Sequence, residues 1–171
     1  ALQAALNPPK PGKQERRFGE LIFREGDRVM QTRNDYDVVW QKEDGTAGTG
    51  IFNGDVGKIA KIDPSGELLE IVFDDRTATY TSDMLAELDM AYAMTVHKAQ
   101  GSEYRGVVFV GAPCAPSLMV RGVLYTAITR ARELLVIVGD DSAVNKMAEN
   151  DRRSRRYSGL KWRLRKGGEE K

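Results

Sequence analysis

The only histidine of the chain stands in the stretch MTVHKAQGSE, residues 94–103, close to the hydrogen-bond donors Thr95, Lys98 and Gln100. Thr95 lies two positions before His97, Lys98 one after it and Gln100 three after it. A hydroxyl, an imidazole, an ammonium and an amide so clustered suit the oxygens of a phosphate group. Threonine is a good helix N-cap, so the pattern predicts a short helix over residues 95–100 whose free amide groups would favour an anion. Gly101 permits close backbone approach, and the Glu103 carboxylate is an acceptor of the kind that suits sugar hydroxyls. Recognition of a phosphate-bearing ligand is one reading; a surface helix with an incidental histidine is the other.

A second stretch, VLYTAITRAR at residues 123–132, puts Arg130 near the end of an apolar helix that runs into the apolar strand LLVIV. A cation there is favoured by the helix dipole alone. It can equally project from a sheet edge as a fixed planar cation aimed at a phosphate. No phosphate-cradling loop of the form G-x-x-x-x-G-K-[ST] occurs, since GTAGTGIF has glycines without the Lys-Ser/Thr pair. LEIVFDD, ending at Asp75, and LLVIVGDD, ending at Asp141, look like metal-holding strand ends, but without that loop no metal site is assigned to either. Cys114 has no second cysteine to pair with and reads as structural filler.

The elements that must position these residues fall into two rhythms. After Leu88, helix and strand alternate: a short helix at 95–100, a strand at 107–110, a helix at about 117–132, a strand at 134–138 and a helix at about 141–150. Strands separated by helices imply a parallel sheet with crossovers. Before Leu88, short β-type runs at 27–32, 38–41, 56–62, 68–73 and 77–81 are separated by Gly, Asp, Asn and Pro turns. Five such runs predict a small closed barrel, which removes exposed strand edges. In the barrel, Arg28, Arg33, Tyr36, Trp40 and Lys58 are candidate phosphate or base-stacking residues, with Trp40 better suited to the core. ALQAALN reads as a helix end stopped by Asn7-Pro8-Pro9, and so as part of a domain cut from a longer polypeptide. The expected organisation is therefore an α/β domain, residues 1–19 and 89–150, interrupted by a barrel at 20–88.

Of the 171 residues, 41% are hydrophobic and 30% charged, ordinary for a globular protein. No apolar run approaches the roughly 18 residues of a membrane span and no signal-peptide order is present, so no membrane partner and a cytoplasmic location are expected. The net charge of +1 conceals an asymmetry: residues 151–171 carry nine Lys/Arg against three acids, +6, which leaves −5 for the rest. That basic tail, with Leu160, Trp162 and Leu164 at helical spacing, reads as a basic helix able to meet phosphates.

MTVHKAQGSE resembles motif V, and LYTAITRAR motif VI, of superfamily 1 DNA helicases. Val29-Met30-Gln31-Thr32 and Phe52-Asn53-Gly54-Asp55-Val56-Gly57 resemble the Src-homology-3-like insertion of the RecD-type helicases, the exodeoxyribonuclease V alpha family. The resemblance implies a partial RecA-like, P-loop NTPase-type second motor domain interrupted by a five-stranded barrel. It implies that Thr95, His97, Lys98 and Gln100 meet single-stranded DNA, that Gly101 and Glu103 lie on the nucleotide side, and that Arg130 is the arginine finger. The parent would be an ATP-dependent 5′ to 3′ helicase using ATP and Mg, involved in DNA repair and recombination. It would act alone or with nuclease-helicase subunits, and its N-terminal motor domain would face this segment. The segment alone is expected to be inactive and to need no cofactor. The competing expectation is a non-catalytic single-stranded nucleic-acid-binding module, which has no use for an Arg130 set to face a nucleotide.

Overall fold

Alternation of apolar and polar side chains makes strands of much of residues 15–90. The computed structural model describes residues 1–152; the basic helix expected over 151–171 lies, apart from its first two residues, outside the described residues. Two compact units divide the chain, Ala1–Lys98 and the part beginning at Ala99.

The first unit starts with helix α1 (Leu2–Leu6) and the hairpin β1 (Glu15–Phe18) and β2 (Leu21–Arg24). Seven further strands follow: β3 (Arg28–Gln31), β4 (Asp35–Gln41), β5 (Ala47–Ile51), β6 (Val56–Ile62), β7 (Leu68–Phe73), β8 (Arg76–Thr81) and β9 (Leu88–Met90). They form one antiparallel sheet in the order β5-β4-β8-β7-β6-β3-β9. One face of it supplies the core, where Ile51 from one end and Leu88 from the other share a cluster with Val29, Ile59, Ile71 and Tyr80. Each such aliphatic side chain contributes roughly 1.5–3 kcal/mol on burial. A bulge between Ile59 and Lys61 resets the alternation, so Ile59 and Ile62 both point inward although three residues apart.

The expected five-stranded closed barrel is corrected here. The sheet has seven strands and its end strands, β5 and β9, do not pair with each other, so the hydrogen-bonded ring does not close. The two strands outside the expected runs are these end strands, β9 and β5, the latter with the sequence AGTGI between the runs at 38–41 and 56–62. Gly48 is there because the Trp40 ring lies against it: a Cβ at that position would come within 2.5 Å of the indole. Trp40 is accordingly partly buried against the core, whereas Tyr36 is 65% exposed and meets Phe52 edge-on, ring centroids 5.6 Å apart.

In the second unit, β10 (Tyr104–Gly111) and β11 (Ala131–Gly139) pair in parallel, because α2 (Arg121–Ile128) carries the chain back between them. Helix α3 (Asp141–Glu149) follows, capped by Asp140, whose carboxylate accepts hydrogen bonds from the amide and hydroxyl of Ser142 at 2.8 and 2.9 Å. Leu124 and Ala127 of α2, with Ala143 and Met147 of α3, are buried. Of the expected RecA-like parallel sheet, the described residues contain a single parallel pair, and among them it is largely exposed: Val108 and Val110 are 67% exposed and Leu134 61%. Parallel sheets ordinarily have both faces covered.

Candidate functional site

The residues of MTVHKAQGSE are shared between the two units, Thr95, His97 and Lys98 at the end of the first and Gln100, Gly101 and Glu103 at the start of the second. The helix expected over 95–100 is absent; residues 96–101 are turns. The chain turns into the left-handed Gly101, φ +93°, before a helix propagates. The anion site expected at a helix N-terminus therefore falls away. Thr95 keeps a capping bond, its hydroxyl accepting the Lys98 amide at 3.3 Å.

Thr95, His97 and Lys98 are all exposed. The Lys98 ammonium pairs with Asp89 at 3.4 Å, an exposed contact worth about 0–1 kcal/mol, which a phosphate oxygen can displace. Thr95 and Lys98 also line a hollow with Met30, Asp89 and Met94. Polar donors on a firm apolar floor are suited to holding a phosphodiester backbone.

In the second unit Gln100, Gly101 and Glu103 are exposed, and Arg130 sits in the two-residue link between α2 and β11. Its guanidinium is gripped at three nitrogens. Nη1 donates to the Ser102 carbonyl at 2.8 Å, Nε to the Thr126 carbonyl at 3.1 Å and Nη2 to the Thr129 hydroxyl at 3.2 Å. The Tyr104 amide donates to the Arg130 carbonyl at 2.8 Å, so the backbones of the two motifs are stitched together where β10 and β11 begin. Of the five N–H groups of an arginine, two are left to point elsewhere. Glu103 faces Arg132 at 3.6 Å on the surface. Sequence reasoning found Arg130 but missed Ser102, whose carbonyl orients it; a backbone acceptor leaves no trace in residue type.

Residues 1–73 match the family described as the ATP-dependent RecD-like DNA helicase SH3 domain, and residues 90–138 the UvrD-like helicase C-terminal domain. The ATP-dependent RecD2 DNA helicase of Deinococcus radiodurans is 36% identical over 154 residues, 90% of this chain and 19% of that protein. This chain belongs to the RecD-like helicases. The RecBCD enzyme subunit RecD of Mycolicibacterium smegmatis is 32% identical over 84% of the RecD-like chain and 23% of its own length. The chain thus spans about a fifth of the curated relatives it matches. A crystal structure of Bacteroides Pif1 bound to ssDNA covers 98% of the RecD-like chain with a TM-score of 0.53 at 17% identity, a likeness of fold. Both motifs quoted from the sequence, residues 94–103 and 124–132, fall within the C-terminal match.

Proposed function

We propose that this chain is the C-terminal portion of an ATP-dependent 5′ to 3′ DNA helicase of the RecD type. In this reading residues 89–150, together with 1–19, belong to its second motor domain and residues 20–88 form the Src-homology-3-like insertion. The observation that carries it is the grip on Arg130: an arginine held by three acceptors at the edge of a bare parallel pair, with two N–H groups to spare. A fixed planar cation is what a transition state with charge spread over phosphate oxygens requires. A module that only binds nucleic acid accounts for the sheet unit and leaves this grip without a purpose.

The uncovered faces of β10 and β11 receive the rest of the motor domain, and the N-terminal motor domain of the same parent faces Arg130. When bound, ATP supplies the phosphoanhydride whose hydrolysis drives movement, with Mg held outside this segment. The residues here fit a share of that site: Arg130 offers the cation, Gly101 a bare backbone and Glu103 a carboxylate. Thr95, His97, Lys98 and Gln100 hold the single strand by its backbone. Nuclease-helicase subunits are further partners in relatives that work as assemblies.

Two measurements test this. The purified 171-residue chain shows no DNA-stimulated ATPase, because the phosphate loop is elsewhere; turnover that survives Arg130→Ala would overturn the reading. In the full-length helicase, His97→Ala lowers the ratio of single-strand-stimulated to basal ATPase about tenfold, the scale of one lost charge-assisted or neutral hydrogen bond to phosphate. An unchanged ratio removes His97 from the DNA contacts.

A further inference from the structure

Asp27, fully buried in the turn ahead of β3, accepts four hydrogen bonds from three separate stretches of chain. Its Oδ1 receives the Asn7 side-chain amide at 2.6 Å and the Tyr92 hydroxyl at 2.7 Å. Its Oδ2 receives the Gln3 side-chain amide at 2.6 Å and the Arg24 backbone amide at 2.8 Å. A carboxylate has about four lone-pair sites, so its accepting capacity is filled. Burying an anion is unfavourable unless it is so satisfied, and an apolar residue would serve mere packing as well. The four donors therefore specify an arrangement.

That arrangement joins the segment leading into the sheet unit to the segment leading out. Gln3 and Asn7 sit four residues apart on one side of α1 and its C-cap, and Asn7 also donates to the Glu25 carbonyl at 3.1 Å. Tyr92 lies two residues past β9 and three ahead of Thr95. Its phenol is pushed up to about 12 by burial and by the Asp27 carboxylate, so it remains a donor at neutral pH. The neighbouring Ala91 amide donates to the Arg28 carbonyl at 2.8 Å.

We propose that Asp27 is a positioning residue for the strand-contacting segment 95–98: through Tyr92 it fixes the backbone just ahead of Thr95, and through Gln3 and Asn7 it ties that segment to the incoming one. This rests on the reading of Thr95 and His97 as DNA contacts. With the clamp in place the segment is ordered before DNA arrives. Without it, DNA must select the competent arrangement from several, and apparent affinity falls by the fraction populated.

The test uses the full-length helicase and an oligothymidylate. Asp27→Asn keeps the shape but turns an NH₂ toward two of the donors, and Tyr92→Phe removes one donor alone. Tyr80→Phe serves as a control, because it removes a buried bond to Gln31 at 3.0 Å in the same unit and leaves Asp27 with all its partners. Asp27→Asn should raise the oligonucleotide concentration for half-maximal ATPase by about tenfold and Tyr92→Phe by about threefold, with the saturating rate within about twofold of wild type. Hydrogen exchange at amides 91–98 should quicken in both and stay put in Tyr80→Phe. Wild-type values in Asp27→Asn and Tyr92→Phe, or an equal shift in Tyr80→Phe, would overturn the proposal; should Asp27→Asn fail to fold, Tyr92→Phe decides it. If exchange quickens while His97→Ala and Thr95→Ala leave the half-maximal concentration unchanged, the clamp stands and the DNA assignment falls.

Discussion

Replacing Arg130 with lysine in the full-length helicase lowers ATP turnover at saturating single-stranded DNA by at least about 10²-fold, with nucleotide affinity changed far less. That factor is about 2.7 kcal/mol of transition-state stabilisation. Lysine keeps the charge and loses the geometry. Its three rotating N–H groups cannot at once satisfy the Ser102 and Thr126 carbonyls and the Thr129 hydroxyl and still present a planar pair outward. The ammonium either stays on the carbonyls or leaves them buried and unmatched to reach a phosphate. Pre-steady-state turnover and nucleotide titration separate the two effects. Turnover near that of the wild type would reduce Arg130 to a helix-end residue that ties two loops.

Exchanging residues 22–86 for a short flexible linker has a comparably large and opposite division of effects. Duplex unwinding is abolished, while DNA-stimulated ATPase at saturating single strand persists within about an order of magnitude, since Arg130 and its partners lie in the other unit. Because the exchange also removes Asp27, more DNA is needed to reach saturation. The exposed Arg28, Arg33, Tyr36 and Lys58 go with it, and we propose that these candidate phosphate or base-stacking residues guide the strand. Parallel stopped-flow unwinding and ATPase assays decide the matter. Unwinding at the wild-type rate makes the insertion a passive one.

Local pattern carried much of the fold. The run VGKIAKI became β6 and LLEIVF became β7 with the expected limits, because alternation over six or seven residues makes sense only with one face buried. The turn at Asp74-Asp75 was equally readable: it closes the Phe73–Arg76 pair, with Asp74 at φ +52°, a conformation aspartate tolerates. The alternation of helix and strand after residue 89 produced the parallel pair, a connection that a hairpin cannot make.

What sequence misjudged were places where a distant partner overrides local preference. AGTGI, which lies outside the expected β-type runs, is a strand with Gly48 where the Trp40 ring from the adjoining strand leaves no room for a Cβ. Residues 95–100 look like a capped helix, yet the chain there forms turns that end in the left-handed Gly101. Sheet closure could not be read from strand count, because it depends on whether the two end strands meet. By itself, then, the sequence determined which residues can do chemistry and which stretches alternate, since donor type and hydropathy are properties of single residues and their spacing. Only the tertiary structure decided that Ser102 and Thr126 hold Arg130, and that Gln3, Asn7, Arg24 and Tyr92 converge on Asp27. Hydrogen bonds between groups up to 65 residues apart exist only once packing has excluded water and brought them within 3 Å.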